Sequence, residues 1–194
     1  MASQLCALKS LNFKTIIMKK NVLVFGSISG LILLIVMVTS TIQCYNNEDF
    51  KGNMWLGYSS MLVAFSFIFV GIKNVRDKYS GGFISFGKAF KVGFYIALIA
   101  SSAYVVVWLI EYYMFIPDFM DKYIAHVLRE AARDGATAAE LKSKKDEMTM
   151  YVSMYNTPLG VVVLTYLEVL PIGLIISLIA AAILRRTPKQ APSV

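Results

Sequence analysis

Residues 157–184 read TPLGVVVLTYLEVLPIGLIISLIAAAIL, and this stretch decides how the rest of the chain is read. Its only charged residue is Glu168. At about 1.5 Å of helix rise per residue, roughly 20 apolar residues cross the ~30 Å hydrocarbon layer of a bilayer, so the run is long enough to span it. Three further blocks have the same character: Val22–Tyr45, Met54–Ile72 and Val92–Ile116, the last interrupted by one acid, Glu111. The sequence therefore predicts an all-α integral membrane four-helix bundle with spans at about 22–45, 54–72, 92–116 and 157–184. Of the 194 residues, 57% are hydrophobic and 16% charged, and the mean hydropathy is +0.62. Ordinary soluble domains are about one quarter charged, so the composition excludes a soluble enzyme as the default reading.

The direction of the spans follows from the bases. Lys9, Lys14, Lys19 and Lys20 precede the first span, Lys73, Arg76, Lys78, Lys88 and Lys91 lie between the second and third, and Arg185, Arg186 and Lys189 follow the fourth. Asp77 is the only acid among them. The remaining bases, Lys51 and the six between Lys122 and Lys145, sit among nine acids from Glu48 to Glu147. Because Lys and Arg stay on the cytoplasmic side, both termini are expected there, in a cell inner membrane. The net charge of +7 is spent on orientation, and no nucleic-acid partner is expected.

The first block is too long for a signal-peptide core and lacks a small-residue cleavage site, so it reads as a span. Gln43 before Cys44 argues against lipidation. Met18-Lys19-Lys20 resembles a start of its own. Residues 1–17 are expected to form a weakly structured cytoplasmic extension, with 18–186 as the membrane domain and 187–194 as a cytoplasmic tail. Whether translation begins at Met1 or Met18 stays open. Cys6 and Cys44 fall on opposite sides and form no disulfide framework.

Residues 118–156 are too long for a structureless loop and carry a helical pattern. Met120, Tyr123, Ile124, Val127, Leu128 and Ala131 make one apolar face. Asp134-Gly135 supplies a stop, and Thr137 with Glu140 matches a capping box opening a second helix near Ala138. That helix places Leu141, Met148, Tyr151, Val152 and Tyr155 along one side. The prediction is an extracytoplasmic helical hairpin capping the bundle, with a Met- and Tyr-rich strip able to meet an envelope protein partner or lipid headgroups. His126, the only His, makes no metal site alone, so no metal and no cofactor are expected.

On the opposite side, Gly81-Gly82 allows a sharp change of direction. Phe83, Phe86 and Phe90 then interleave with Lys88 and Lys91, as expected of an interfacial elbow contacting membrane lipids. Gly87-Lys88-Ala89 lacks the flanking residues of a phosphate loop.

The segments Ser80–Gly93 (SGGFISFGKAFKVG), Asn156–Gly160 and Tyr166–Ala180 (YLEVLPIGLIISLIA) resemble domain-of-unknown-function family 4199 of Bacteroidota, over roughly Met18–Arg186. The resemblance implies a four-span inner-membrane protein and brings no activity, substrate or catalytic residue.

Within the spans, Glu168 lies near mid-membrane, where an ionised carboxylate is costly unless hydrated, paired or protonated. Pro171, three residues on, frees the carbonyl of Leu167, so polar groups gather at a kink there. Glu111 is shallower. Tyr104, Tyr112, Tyr113, Tyr166, Ser101 and Ser102 are candidate partners, and a protonated or hydrogen-bonded Glu168 is expected because no Lys or Arg lies at its depth. Small residues four apart mark helix contacts: Gly26 and Gly30, Gly93 and Ala97, Gly173 and Ser177. They can be satisfied within one chain or by a homo-oligomer. No nucleophile with a base and no ligand cluster is present in the spans, so no catalytic residue is assigned. The function expected is a non-enzymatic envelope scaffold or partner-binding protein; the alternative is a small proton-coupled carrier using Glu168.

Overall fold

A computed structural model describes residues 2–47, Phe50, Gly52 and 54–187, with side chains from Met18 onward except Met54. The side chains of Cys6, Lys9 and Lys14, together with Glu48, Asp49, Lys51 and Lys189, lie outside the described residues. Six α-helices are described: α1 (Ala2–Tyr45), α2 (Met54–Asn74), α3 (Phe86–Ile110), α4 (Phe119–Arg133), α5 (Ala138–Tyr155) and α6 (Pro158–Leu184). Two of them end in a wider π-helical turn: Val75–Tyr79 after α2 and Glu111–Phe115 after α3. Four stretches are long and apolar enough to cross a membrane: Met18–Tyr45, Trp55–Tyr79, Phe86–Phe115 and Pro158–Leu184. The chain is a multi-pass membrane protein.

The backbone before Met18 departs from expectation. Instead of a weakly structured extension it continues α1 back to Ala2, and residues 2–20 hold no Gly or Pro to break a helix once the span has nucleated it. The third span also begins earlier than Val92, at Phe86. Lys88 and Lys91 lower the local hydropathy but fall on the exposed side of the helix, while Ala89 and Val92 are buried. The elbow is thus confined to residues 80–85, where Gly81 and Gly82 take positive φ of 63° and 84°.

Small residues set the helix contacts. A Cβ on Gly26 would lie 2.9 Å from the Ile99 Cβ, and one on Gly30 3.4 Å from the Ala103 Cβ, so this pair seats α1 on α3. A Cβ on Gly93 would lie 2.9 Å from the Ser177 Oγ, and one on Gly173 2.8 Å from the Ala97 Cβ. Both positions join α3 to α6. In lipid, where no hydrophobic force pulls helices together, such close approach supplies the dispersion that does. Phe65, Ile68, Ile72, Ile96 and Val169 fill the space between these seams and are fully buried.

The hairpin forms as its caps dictate. The Thr137 hydroxyl accepts from the Glu140 N–H at 3.3 Å, and the Glu140 carboxylate accepts from the Thr137 N–H at 2.7 Å. Gly135, at φ +87°, ends α4. Met120 and Ala131 of α4 are buried, whereas α5 buries no residue fully.

Candidate functional site

The two ends of the bundle differ in construction. At the end where α2 passes to α3, here the basic end, polar side chains tie the helices together. The Asn21 side-chain amide donates to the Gly71 carbonyl at 3.0 Å, and the Asn74 amide donates to the Asn21 carbonyl oxygen. Arg76, 7% exposed, sits in the π-helical turn with its Nε 2.6 Å from the Asp77 carboxylate, and its guanidinium also donates to the Leu184 carbonyl at 3.4 Å. The carbonyls of a helix end attract such a cation. Beyond it, Ile84 and Arg186 exchange backbone hydrogen bonds of 3.0 and 2.9 Å, fastening the elbow to the chain leaving α6.

The elbow residues divide. Phe83 and Phe86 are exposed, as are Lys88 and Lys91, but Phe90 packs on the core and stacks on Phe86 at 6.4 Å. The Lys88 ammonium donates to the Ser80 hydroxyl at 2.9 Å, closing the elbow on itself.

At the hairpin end the spans part. Above Met61, α2 turns its residues outward, with Trp55 84% exposed. A cavity of about 900 Å³ opens among α1, α2, α3 and α4, and a second of about 510 Å³ lies between α3, α6 and the hairpin. Tyr104, Trp108, Phe119, Tyr123 and Glu168 line both. The rings support one another: Trp108 meets Phe119 edge-on at 5.2 Å, Phe119 stacks on Tyr123 at 6.0 Å, and Tyr112 meets Tyr155 at 5.4 Å. Burial pushes the Tyr155 hydroxyl up to about 12, with the Glu168 charge adding to it and a hydrogen bond from Trp108 opposing.

Glu168 faces this space and, among the described residues, forms no hydrogen bond or ion pair. Of the two forms expected from the sequence, protonated or hydrogen-bonded, the second finds no donor among the described residues. Of its candidate partners, Tyr104 shares the cavity wall, Tyr166 is paired with Ser102 at 2.8 Å, and the Ser101 hydroxyl is buried with no partner among the described residues. Pro171 lies exposed on an α6 that runs through it without interruption. Glu111 does not join Glu168. It is 9% exposed inside the second π-helical turn, where its carboxylate accepts from the Thr41 hydroxyl at 3.2 Å. The turn widens the helix and tips Glu111 toward α1, so the acid finds a donor despite lying at the helix's negative end.

The hairpin is moored by Asp118, which accepts from the Tyr45 hydroxyl at 2.9 Å and lies 2.8 Å from the Lys122 ammonium. Lys122 also lies over the Tyr45 ring, 4.3 Å from its centre. The Lys122 bond, and then that from Tyr45, hold the Asp118 carboxyl below its ordinary range. His126 faces Glu130 at 3.6 Å, and no group of three metal-ligating side chains occurs among the described residues.

Four apolar spans in one chain, tied by hydrogen bonds at one end and hollow at the other, define an integral membrane protein with a cavity. The chain belongs to the family described as "Protein of unknown function (DUF4199)", whose pattern matches residues 24–186. No curated protein and no solved structure matches it.

Proposed function

We propose that this chain is a non-enzymatic binding protein of a Bacteroidota inner membrane, with both termini cytoplasmic and the hairpin outside. The four spans form a rigid scaffold, and α4–α5 is the mobile cover and partner-facing surface. The observation that carries this reading is the aromatic cavity under the hairpin, reaching down to Glu168, while at the basic end side-chain hydrogen bonds tie the helices together. The weak hold on α5 supports it, because an element that buries no residue opens at small cost. The hairpin's exposed Met150, Tyr151 and Met154 support a protein partner.

A second reading, a proton-coupled carrier, is favoured by Glu168 itself, an acid ten residues into α6 that is unpaired among the described residues. One-sided access separates the two. With both native cysteines replaced by Ser, Glu168→Cys should react with a membrane-impermeant thiol reagent from the hairpin side only. Reaction from both sides would favour the carrier. Ser143→Cys and Ser80→Cys, labelled in spheroplasts, report direction: modification of Ser143→Cys alone is expected, and modification of Ser80→Cys would reverse the topology.

A further inference from the structure

The wall shared by the two cavities combines rings and acid with little compensating charge. Glu168 is the carboxylate common to both; Glu147 joins it in the smaller cavity, Glu130 and Asp134 in the larger, and among the described residues Lys144, in the larger, is the one lysine lining either volume and no arginine does. Glu130 is occupied in part by His126 at 3.6 Å. Glu168 lies deepest, about 15 Å along the helix from Pro158 at ~1.5 Å per residue, and has no partner among the described residues. A carboxylate at that depth is costly to keep unpaired, and a bound positive charge removes the cost.

The class of cation follows from the walls. A hard metal ion wants six or more oxygen ligands, and in the smaller cavity the lining offers two carboxylates, Glu147 and Glu168, among mostly aromatic side chains. No group of three ligating side chains is available among the described residues. Aromatic faces, by contrast, attract an ammonium lying within about 6 Å of the ring centre. Tyr104 and Trp108 stand one turn apart on α3 opposite Glu168, and Phe119 and Tyr123 continue the wall upward. About 510 Å³ is the size of a small-molecule site.

We propose that this cavity binds an organic cation, its ammonium held between Glu168 and the rings of Tyr104 and Trp108 and its apolar body lying along Phe119 and Tyr123. This rests on the reading of the cavity as a binding site and names its ligand class. The ammonium can belong to a free amphiphilic amine or to an ethanolamine lipid headgroup.

The test uses the full chain in vesicles of phosphatidylglycerol, with Trp55→Phe so that Trp108 is the only fluorophore of its kind. The probes are benzyltrimethylammonium and its neutral carbon counterpart, neopentylbenzene. The cation should change Trp108 fluorescence saturably and bind about tenfold or more tightly than the neutral probe. Glu168→Gln should abolish that preference, and Tyr104→Leu, which alters no charge, should weaken the cation about fivefold. Circular dichroism and gel filtration establish that each variant is folded. Equal binding of both probes, or a preference that survives Glu168→Gln in a folded protein, overturns the organic-cation assignment and leaves the cavity a binding site. Saturable binding of neither probe overturns both. Replacing half of the lipid with phosphatidylethanolamine then names the source: the cation probe is displaced if the headgroup is the occupant and is unaffected if a free amine is.

Discussion

Gly173, in the tight lower half of the bundle, has no room for a side chain: a Cβ there would lie 2.8 Å from Ala97 and 3.1 Å from Phe65. Gly57, on the part of α2 beside the cavity, would find nothing within 4 Å. Within the spans, these two glycines mark a packed seam and the open space beside the cavity. The lower seams are made of small residues that bring backbones together, while the upper end is lined with rings that hold them apart. A bundle built this way can be stable and still hollow, because the two tasks fall to different turns of the same helices.

The sharpest way to break the comparison is to place one side chain at both sites. Gly173→Val overpacks the α3–α6 seam and should cost about 1–3 kcal/mol or more, read as a fall in thermal midpoint of the detergent-solubilised protein. Gly57→Val should leave the midpoint unchanged. Equal effects at the two glycines would show that the upper end is as tightly packed as the lower.

Polar groups give a second, smaller contrast. Asn21→Leu removes the amide that bridges Gly71 and Asn74 and strands the Asn74 donor, so a loss of about 1–2 kcal/mol is expected. Glu168→Gln removes an unpaired charge, so stability should stay level or rise. A large loss from Glu168→Gln would mean that the carboxylate holds helices together, and the cavity would lose its acid.

Much of this architecture was legible in the sequence. The four spans follow from apolar run length, and the hairpin follows from Gly135 and from Thr137 with Glu140, because these features act over a few residues of one chain segment. The basic end was not legible. Arg76 stands in a charged run, Arg76-Asp77-Lys78, that reads as solvated, yet its guanidinium is buried beneath the end of α6, over a hundred residues away in sequence. Asn21 and Asn74 are equally silent, since nothing local announces an amide bonded to another helix. Glu168 and Glu111 stand out as acids, but hydropathy cannot say which meets a hydroxyl and which meets a cavity. That depends on the Glu111–Phe115 turn and on where α2 splays, both products of packing.

The smallest expected effect concerns how firmly the cover is moored. Asp118 in the folded protein titrates below its ordinary value of 3.8, through Lys122 first and Tyr45 second. A carboxylate with a depressed folded value contributes stability that is complete above the unfolded value and is lost as pH falls through the folded one. The mooring of α4 should therefore be constant from neutral pH down to about 4 and loosen only below that. Glu140, held down by the Thr137 N–H, adds to the same acid-side loss by loosening the cap of α5. A spin label at Ser143→Cys should gain mobility on acidification in that window. Asp118→Asn should give most of that mobility already at pH 7, with a shallower response to acid. If Asp118→Asn left the label's mobility and its pH dependence unchanged, the Asp118, Tyr45 and Lys122 contacts would not moor the hairpin. The contrast between a bonded lower end and a lightly held cover would then have to rest on the aromatic contacts of Phe119 and Tyr155 alone.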